Sequence, residues 1–222
     1  MKNVLLNIYE FQAPWAYGVL KDVLKPEMSV CVLTMTHGQE IPDQATWEKW
    51  YTPGSHVYGI LTEAFGAYGI PEKNISFVGL YQDDHASAAE KIMASDVIFV
   101  TGGLPDLFFE RLSEMDLIEI IHSFDGVFMG CSAGAMVQMT EYHITPDEDY
   151  DSYGYYPGLG LLEGFEPEVH FAETEVQLQS VARYQKERGK MVFAMTNNGG
   201  LFVDGNRIVP MGEVTIFREA EK

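Results

Sequence analysis

Residues 127–135 read Val-Phe-Met-Gly-Cys-Ser-Ala-Gly-Ala, an apolar run that breaks into Gly-x-Ser-x-Gly before a segment with helical tendency. Strand, tight turn and helix in that order are the context of a nucleophile elbow, where a serine sits on a strained turn above a sheet. Gly130 and Gly134 provide the clearance that such a turn needs. The alternative is a Gly/Ala/Ser cluster that merely closes a turn. The pattern favours an acyl-transfer enzyme with Ser132 as its nucleophile.

Short apolar runs alternate with helical patterns along the whole chain, which is typical of a parallel sheet with crossover helices. We predict strands near 4–9, 30–35, 76–80, 97–101, 126–129, 166–171, 191–194, 200–203 and 213–218. We predict helices near 15–24, 56–68, 86–93, 106–112, 115–123, 133–140 and 175–188. Asp204-Gly205 marks a hairpin turn. No linker divides the chain, so we predict one α/β domain over residues 1–222.

One long segment, Tyr142–Gly160, has no regular pattern and is rich in Asp, Tyr, Pro and Gly. Loops of this length inside a compact domain are usually functional or mobile. It follows the helix after Ser132, which strengthens the functional interpretation. Its aromatic residues, Tyr150–Tyr156, either cover the site or pack against one another on the surface.

Charge and composition exclude several classes of partner. The formal net charge of −19 would repel nucleic acid and anionic membranes. No apolar run approaches the ~20 residues of a membrane span, and the N-terminus lacks the apolar length of a signal peptide. Cys31 and Cys131 suggest neither a disulfide framework nor a metal site. We expect a cytoplasmic protein without a cofactor or metal. The sequence does not determine the oligomeric state, and a homodimer is possible.

A serine hydroxyl needs a base, and His170 is the best candidate among the six histidines. It ends a short predicted strand downstream of Ser132, as in α/β hydrolases. His37 and His85 follow strands and could line the pocket, whereas His143 is more typical of a solvated loop. The acid is not selected by spacing, because the carboxylates between Ser132 and His170 are many: Glu141, Asp147, Glu148, Asp149, Asp151, Glu163, Glu166 and Glu168.

The oxyanion hole needs a second donor besides the N–H of Ala133. Thr101-Gly102-Gly103-Leu104 ends a predicted strand with two glycines, which allow close approach of the backbone to a substrate. The stretch lacks the residues of a P-loop or a dinucleotide fingerprint.

Together these motifs resemble the aspartyl dipeptidase (dipeptidase E) family of serine peptidases. The resemblance rests on Thr101-Gly102-Gly103, the elbow at Ser132, and Leu159-Gly160-Leu161-Leu162 leading to His170-Phe171. It implies a three-layer sandwich with a mainly parallel central sheet, like class I glutamine amidotransferases. It also implies a triad of Ser132, His170 and Asp147, with Asp149 close by as an alternative acid. The oxyanion hole would be formed by the N–H groups of Gly103 and Ala133.

Two departures from the family bear on the substrate. Ala172-Glu173-Thr174-Glu175 places Glu175 where the family carries an arginine suited to an acidic side chain. Leu104 removes a polar group after Gly102 and Gly103. With Gly102, Leu104 and Glu175 as substrate-binding residues, we expect poor hydrolysis of aspartyl dipeptides, unless Arg183 or Arg188 reaches the pocket.

The sequence therefore predicts a serine hydrolase that cleaves a dipeptide or another small amide through an acyl-enzyme on Ser132. An amidase or esterase with the same triad is the nearest alternative. A binding or regulatory protein that kept the fold without activity is the non-enzymatic one. Cys131 lies one residue before the nucleophile position, so its side chain should point away from the site.

Overall fold

The computed structural model describes residues 1–218 of the chain. They fold around a central sheet of eight strands. Residues 219–222, the end of the predicted domain, lie outside the described residues. The strands are β1 (Lys2–Leu6), β2 (Val30–Leu33), β3 (Ile75–Val78), β4 (Val97–Val100), β5 (Val127–Cys131), β6 (Glu141–Ile144), β7 (Gly154–Pro157), β8 (Phe165–Glu168), β9 (Met191–Asp204) and β10 (Arg207–Phe217).

The helices are α1 (Pro14–Leu20), α2 (Gln44–Tyr51), α3 (His56–Gly66), α4 (His85–Met93), α5 (Pro105–Glu114), α6 (Ile118–Ser123), α7 (Ala133–Met136) and α8 (Glu175–Arg188), with a short 3₁₀ turn at Glu72–Asn74. Side chains of α1, α2 and α3 pack in one hydrophobic cluster against the sheet, and those of α4, α5 and α6 pack in another. Helices therefore cover both faces, as the predicted three-layer sandwich requires.

The sheet order is β10-β9-β1-β5-β4-β2-β3. Strands β1, β5, β4, β2 and β3 run parallel to one another, whereas β9 is antiparallel to β1, and β10 is antiparallel to β9. The inner strands β2, β4 and β5 are buried along their whole length, which is typical of a parallel sheet covered on both faces. The predicted α/β fold with a mainly parallel sheet is confirmed.

One long strand, β9, joins two shorter strands end to end. Its first half pairs with β8 in parallel, from Met191 to Ala194. Its second half pairs with β1 in the antiparallel direction, from Gly200 to Asp204. Because β8 and β1 run in opposite directions, their carboxyl ends meet beside residues 195–199 of β9. This meeting point is where the side chains of the candidate site converge.

Three local predictions differ from the structure. The predicted strands near 191–194 and 200–203 are one continuous strand, β9. Part of the predicted irregular segment forms the two-stranded hairpin β6–β7. Helix α2 was not predicted; Asp43 caps it by accepting from the N–H of Thr46. Within residues 1–218, no helix has the length and apolar character needed to cross a membrane.

Candidate functional site

Ser132 sits on a strained turn between β5 and α7. Its backbone angles are φ 52° and ψ −109°, a region that residues other than glycine rarely adopt. The turn is tight because Gly130 and Gly134 touch: a Cβ on Gly130 would overlap the carbonyl oxygen of Gly134. Ser132 N–H donates to the Leu6 carbonyl at the end of β1, at 2.8 Å. Strain at such a site is typical of a functional residue held by its surroundings.

His170 lies directly beside Ser132. Its Nε2 is 2.9 Å from Ser132 Oγ, a hydrogen-bond distance. His170 follows β8 and has a φ of 50°, so it too occupies the left-handed region. The turn is held from both sides, since Phe171 N–H donates to the Met195 carbonyl at 2.8 Å and Gln177 Nε2 donates to the His170 carbonyl at 3.0 Å.

The other ring nitrogen of His170 faces an amide and not a carboxylate. His170 Nδ1 lies 2.8 Å from Oδ1 of Asn197, in the middle of β9. With that oxygen as acceptor, Nδ1 carries the proton and Nε2 keeps a lone pair for the Ser132 hydroxyl. Asn197 thus fixes the ring tautomer and orientation without adding a negative charge.

The expectation that Asp147 completes the triad is corrected by this geometry. The Asp147 carboxylate accepts from the N–H groups of Asp149 and Tyr150, at 2.9 and 3.0 Å, and holds a turn at the rim of the cavity. Asp149 shares that rim. The predicted acids are all carboxylates between Ser132 and His170, so the prediction does not include Asn197. Its position just after the predicted strand near 191–194 was the available signal, since ligands collect at strand ends.

The turn at Gly102 and Gly103 lies against Ser132. A Cβ added to Gly102 would be 3.5 Å from the Ser132 Cβ. Gly103 has a φ of +138°, and a Cβ there would overlap the carbonyl oxygen of Thr36, so only glycine fits. Thr36 fixes the turn further, since its Oγ1 donates to the Gly102 carbonyl at 2.6 Å. Neither Gly103 nor Ala133 donates its N–H to an acceptor within residues 1–218.

Tyr9 supports the same turn from the opposite side. Its hydroxyl oxygen accepts from Gly102 N–H at 2.9 Å. Burial raises the pKa of Tyr9 well above its usual range, so the hydroxyl stays protonated. Cys131, the residue before Ser132, is buried and donates its thiol to the Asn7 carbonyl at 3.0 Å. Burial also raises the pKa of the Cys131 thiol, which keeps it out of nucleophilic chemistry.

A cavity of about 500 Å³ opens beside Ser132 and His170. Its walls come from the segment after β6, the end of β8 and the start of α8, with Thr145, Tyr150, Glu168 and Gln177 among the lining residues. A shallower groove of about 330 Å³ lies on the other side of the same pair and includes Gly102. The volume of the larger cavity is within the range of small-molecule sites.

Of the three predicted substrate-binding residues, Gly102 lines the groove, and the other two line neither the cavity nor the groove. Leu104 donates its N–H to the Thr36 carbonyl at 2.7 Å and directly precedes α5. Glu175 begins α8, is exposed, and accepts from Gln179 at 3.0 Å. The neighbouring Thr174 and Gln177 face the cavity instead. The prediction that Glu175 contacts the substrate is therefore corrected, because helix α8 turns that carboxylate away from the cavity.

The two arginines proposed as substitutes also point elsewhere. Arg183 stacks over the ring of Tyr153, 4.2 Å from its centroid, and pairs with Glu187. Arg188 stacks over Tyr155 at 3.7 Å and pairs with Glu141 at 2.7 Å. Both arginines fasten hairpin β6–β7 to α8. Among the four tyrosines of the 150–156 segment, Tyr150 faces the cavity, and its hydroxyl donates to Asp106.

His143 is buried in the cavity wall between two glutamates, and not in a solvated loop as predicted. Its Nδ1 is 2.8 Å from Glu166, and its Nε2 is 2.8 Å from Glu168. Burial alone would lower the pKa of His143, but hydrogen bonds and charges from both glutamates outweigh it and raise that pKa to about 9. Burial raises the pKa of Glu166 as well. In the described part of the chain, no group of three or more His, Cys, Asp or Glu is arranged to hold a metal.

Comparisons with known proteins agree with this architecture. A family model described as Peptidase family S51 matches residues 56–210. Two solved structures share the fold. One, provisionally assigned as a peptidase E from Listeria monocytogenes EGD-e, gives a TM-score of 0.70 at 15% identity, covering 96% of this chain and 98% of that one. A peptidase from an acI-B1 Actinobacterium gives 0.67 at 14% identity, covering 99% and 95%. No curated protein matches the sequence significantly.

Because His143 is buried between two glutamates, we predict that the stability of the fold depends on pH. With a pKa raised from 6.5 to about 9, the protonated His143 stabilises the fold fully below about pH 6.5. That contribution is lost as the pH rises through about 9. We expect the free energy of unfolding, measured by urea denaturation, to fall by up to about 3 kcal/mol between about pH 7 and 9.5. Equal stability across this range would contradict the assignment.

Replacing His143 provides a second test of how much its buried ion pairs with Glu166 and Glu168 stabilise the fold. His143→Gln leaves Glu166 and Glu168 buried without a cation, so we expect a loss of about 3–5 kcal/mol in unfolding free energy at neutral pH. The pH dependence should shrink with it. His56→Gln, at the exposed start of α3, is the matched control and should stay within about 0.5 kcal/mol of the parent. A similar loss in both variants would show that the buried ion pairs are not the cause.

Proposed function

The chain belongs to peptidase family S51, a family of serine peptidases, and we propose that it hydrolyses a dipeptide or another small amide through an acyl-enzyme on Ser132. The observation that carries the proposal is the 2.9 Å contact between Ser132 Oγ and His170 Nε2 at the mouth of a cavity. A nucleophile and a base within hydrogen-bond reach, with the base oriented by a third group, are the arrangement that nucleophilic catalysis requires.

In the first half of the reaction, Ser132 Oγ attacks the substrate carbonyl carbon and its proton passes to His170 Nε2. The carbonyl oxygen becomes an oxyanion, which the free N–H groups of Gly103 and Ala133 would stabilise. His170 then gives the proton to the leaving nitrogen, the C–N bond breaks, and the amine departs. The acyl group remains bound to Ser132.

In the second half, a water molecule takes the place of the amine. His170 Nε2 accepts a proton from the water as its oxygen attacks the acyl carbon. The ester bond to Ser132 breaks, and His170 returns the proton to Ser132 Oγ. The products are a free carboxylic acid and the original enzyme, so atoms and protons balance over the cycle.

Asn197 acts as a positioning residue for His170. Its Oδ1 accepts the Nδ1 proton at 2.8 Å, which keeps the lone pair of Nε2 directed at Ser132. An amide stabilises the imidazolium less than a carboxylate would, because it carries no net charge. Cysteine peptidases with a Cys-His-Asn arrangement use an amide in the same role.

The distance between Ser132 and His170 also supports hydrolysis over the alternative of a silent binding protein. An amidase or esterase would use the same residues and would differ only in the leaving group. The cavity volume of about 500 Å³ supports a small acyl part.

Replacing the nucleophile should abolish turnover. Ser132→Ala is expected to lower the hydrolysis of its best dipeptide substrate by a factor of about 10³ or more, since the members of a triad act as a unit. A fluorophosphonate probe should label the parent protein at Ser132. Ser113→Ala, an exposed serine on α5, is the matched control and should keep both properties. An undiminished rate in Ser132→Ala, or a parent protein that the probe does not label, would overturn the proposed function.

Asn197→Asp tests the positioning role. A carboxylate beside Nδ1 stabilises the imidazolium of the transition state, so we expect kcat/KM to rise about tenfold, equivalent to about 1.4 kcal/mol. The acidic limb of the pH–rate profile should move to higher pH, because protonated His170 is then favoured. Asn197→Ala should lower kcat. A merely structural Asn197 would leave the acidic limb in place in the aspartate variant.

A further inference from the structure

The cavity beside Ser132 carries carboxylates without a free cation. Asp147 and Asp149 lie at its rim, and Glu168 forms part of its wall. Within residues 1–218, no lysine or arginine lines it. Most of the remaining wall is apolar or neutral, as at Met136, Ile144 and Val169. Apart from the histidines His143 and His170, the charged side chains that line the described cavity are therefore carboxylates.

Glu168 is held rigidly where it faces the cavity. Its side chain is only 5% exposed. Thr145 Oγ1 donates to it at 2.9 Å, and His143 Nε2 lies 2.8 Å from its second oxygen. A carboxylate fixed by two donors needs no rearrangement to accept a third hydrogen bond, because each oxygen has two lone pairs.

His143, the cation in the cavity wall, already contacts two glutamates. Both ring nitrogens of His143 lie against glutamates, Glu166 on one side and Glu168 on the other. A substrate carboxylate would have to displace one of them to reach the imidazolium. Arg183 and Arg188 are held over tyrosine rings on the far side of the hairpin. An acidic side chain would therefore enter the cavity without a countercharge, at the full cost of its desolvation.

We propose that this cavity binds the acyl residue of the substrate when that residue carries a basic side chain, with Glu168 as the specificity-determining group. The proposal rests on the proposed function and names its substrate class: peptides and amides with an N-terminal lysyl, ornithyl or arginyl residue. Glu168 accepts the ammonium or guanidinium group, while Asp147 and Asp149 attract it at the rim. Rejection of aspartyl substrates follows from repulsion by the same carboxylates.

Matched dipeptides isolate the charge of the side chain. Lys-Leu and norleucyl-Leu differ essentially in the terminal ammonium, and Asp-Leu supplies the opposite charge. We expect kcat/KM for Lys-Leu to exceed that for norleucyl-Leu by tenfold or more, with Asp-Leu slower than both. Asp-Leu cleaved as well as Lys-Leu would overturn the inference.

Variants locate the source of the preference. Glu168→Gln should reduce the Lys/norleucine ratio of kcat/KM about tenfold. Asp149→Asn, at the exposed rim, should reduce it two- to threefold and does not disturb the buried cluster. Glu175→Gln removes one carboxylate outside the cavity and should leave the ratio within twofold of the parent. A ratio unchanged in both Glu168→Gln and Asp149→Asn would overturn the assignment, even if one of those proteins folds poorly.

Fluorophosphonate labelling distinguishes a failure of the proposed hydrolase function from a failure of the proposed preference for basic side chains. Labelling at Ser132 together with preferred cleavage of norleucyl-Leu or Asp-Leu contradicts the charge specificity and leaves the hydrolase intact. Absence of labelling and of any dipeptide cleavage contradicts the proposed function, and the specificity falls with it. Labelling with a Lys-Leu preference that Glu168→Gln removes supports both.

Discussion

The hydrogen bonding of β9 to two strands that approach from opposite directions is the constraint on which the site depends. β1 and β8 each occupy half of the same edge of β9, and their carboxyl ends meet beside residues 195–199. Ser132 is tied to the end of β1 through the Leu6 carbonyl, and His170 follows β8. Asn197 lies on β9 between them. The pairing of the backbone strands therefore places these three side chains, which come from distant parts of the sequence, next to one another.

A neutral partner for His170, the proposed base, fits the exposed position of this histidine. Both His170 and Asn197 are solvent-exposed. Water screens a charge at such a position, so a carboxylate there contributes less than it does in a buried triad. The orienting part of the role, one hydrogen bond to Nδ1, remains available to an amide. Buried charge lies instead in and behind the cavity wall, where His143 pairs with Glu166 and Glu168.

Local patterns predicted the fold class and the elbow, because strand, turn and helix around Ser132 follow from neighbouring residues. His170 was also accessible, as a polar residue that ends a short strand. Asn197 follows a predicted strand, but its contact with His170 arises from the pairing of β9 with β8 and β1, which no local pattern encodes. The same limit applies to His143, whose partners Glu166 and Glu168 lie far along the chain, the nearer one 23 positions away. It also applies to Glu175, whose direction depends on the rotation of α8.

If Glu168 and His170 act as proposed, their closeness in the sequence ties substrate choice to turnover. Only Val169 separates the wall carboxylate from the base, and both belong to the same tightly held strand end. A change of volume at position 168 would tilt the imidazole as well as the wall. Adaptation to a new substrate is therefore easier through the rim at Asp147 and Asp149, a loop that can drift without displacing the base. In evolution, as in laboratory selection, diversity in this protein should accumulate in that rim before it reaches the strand.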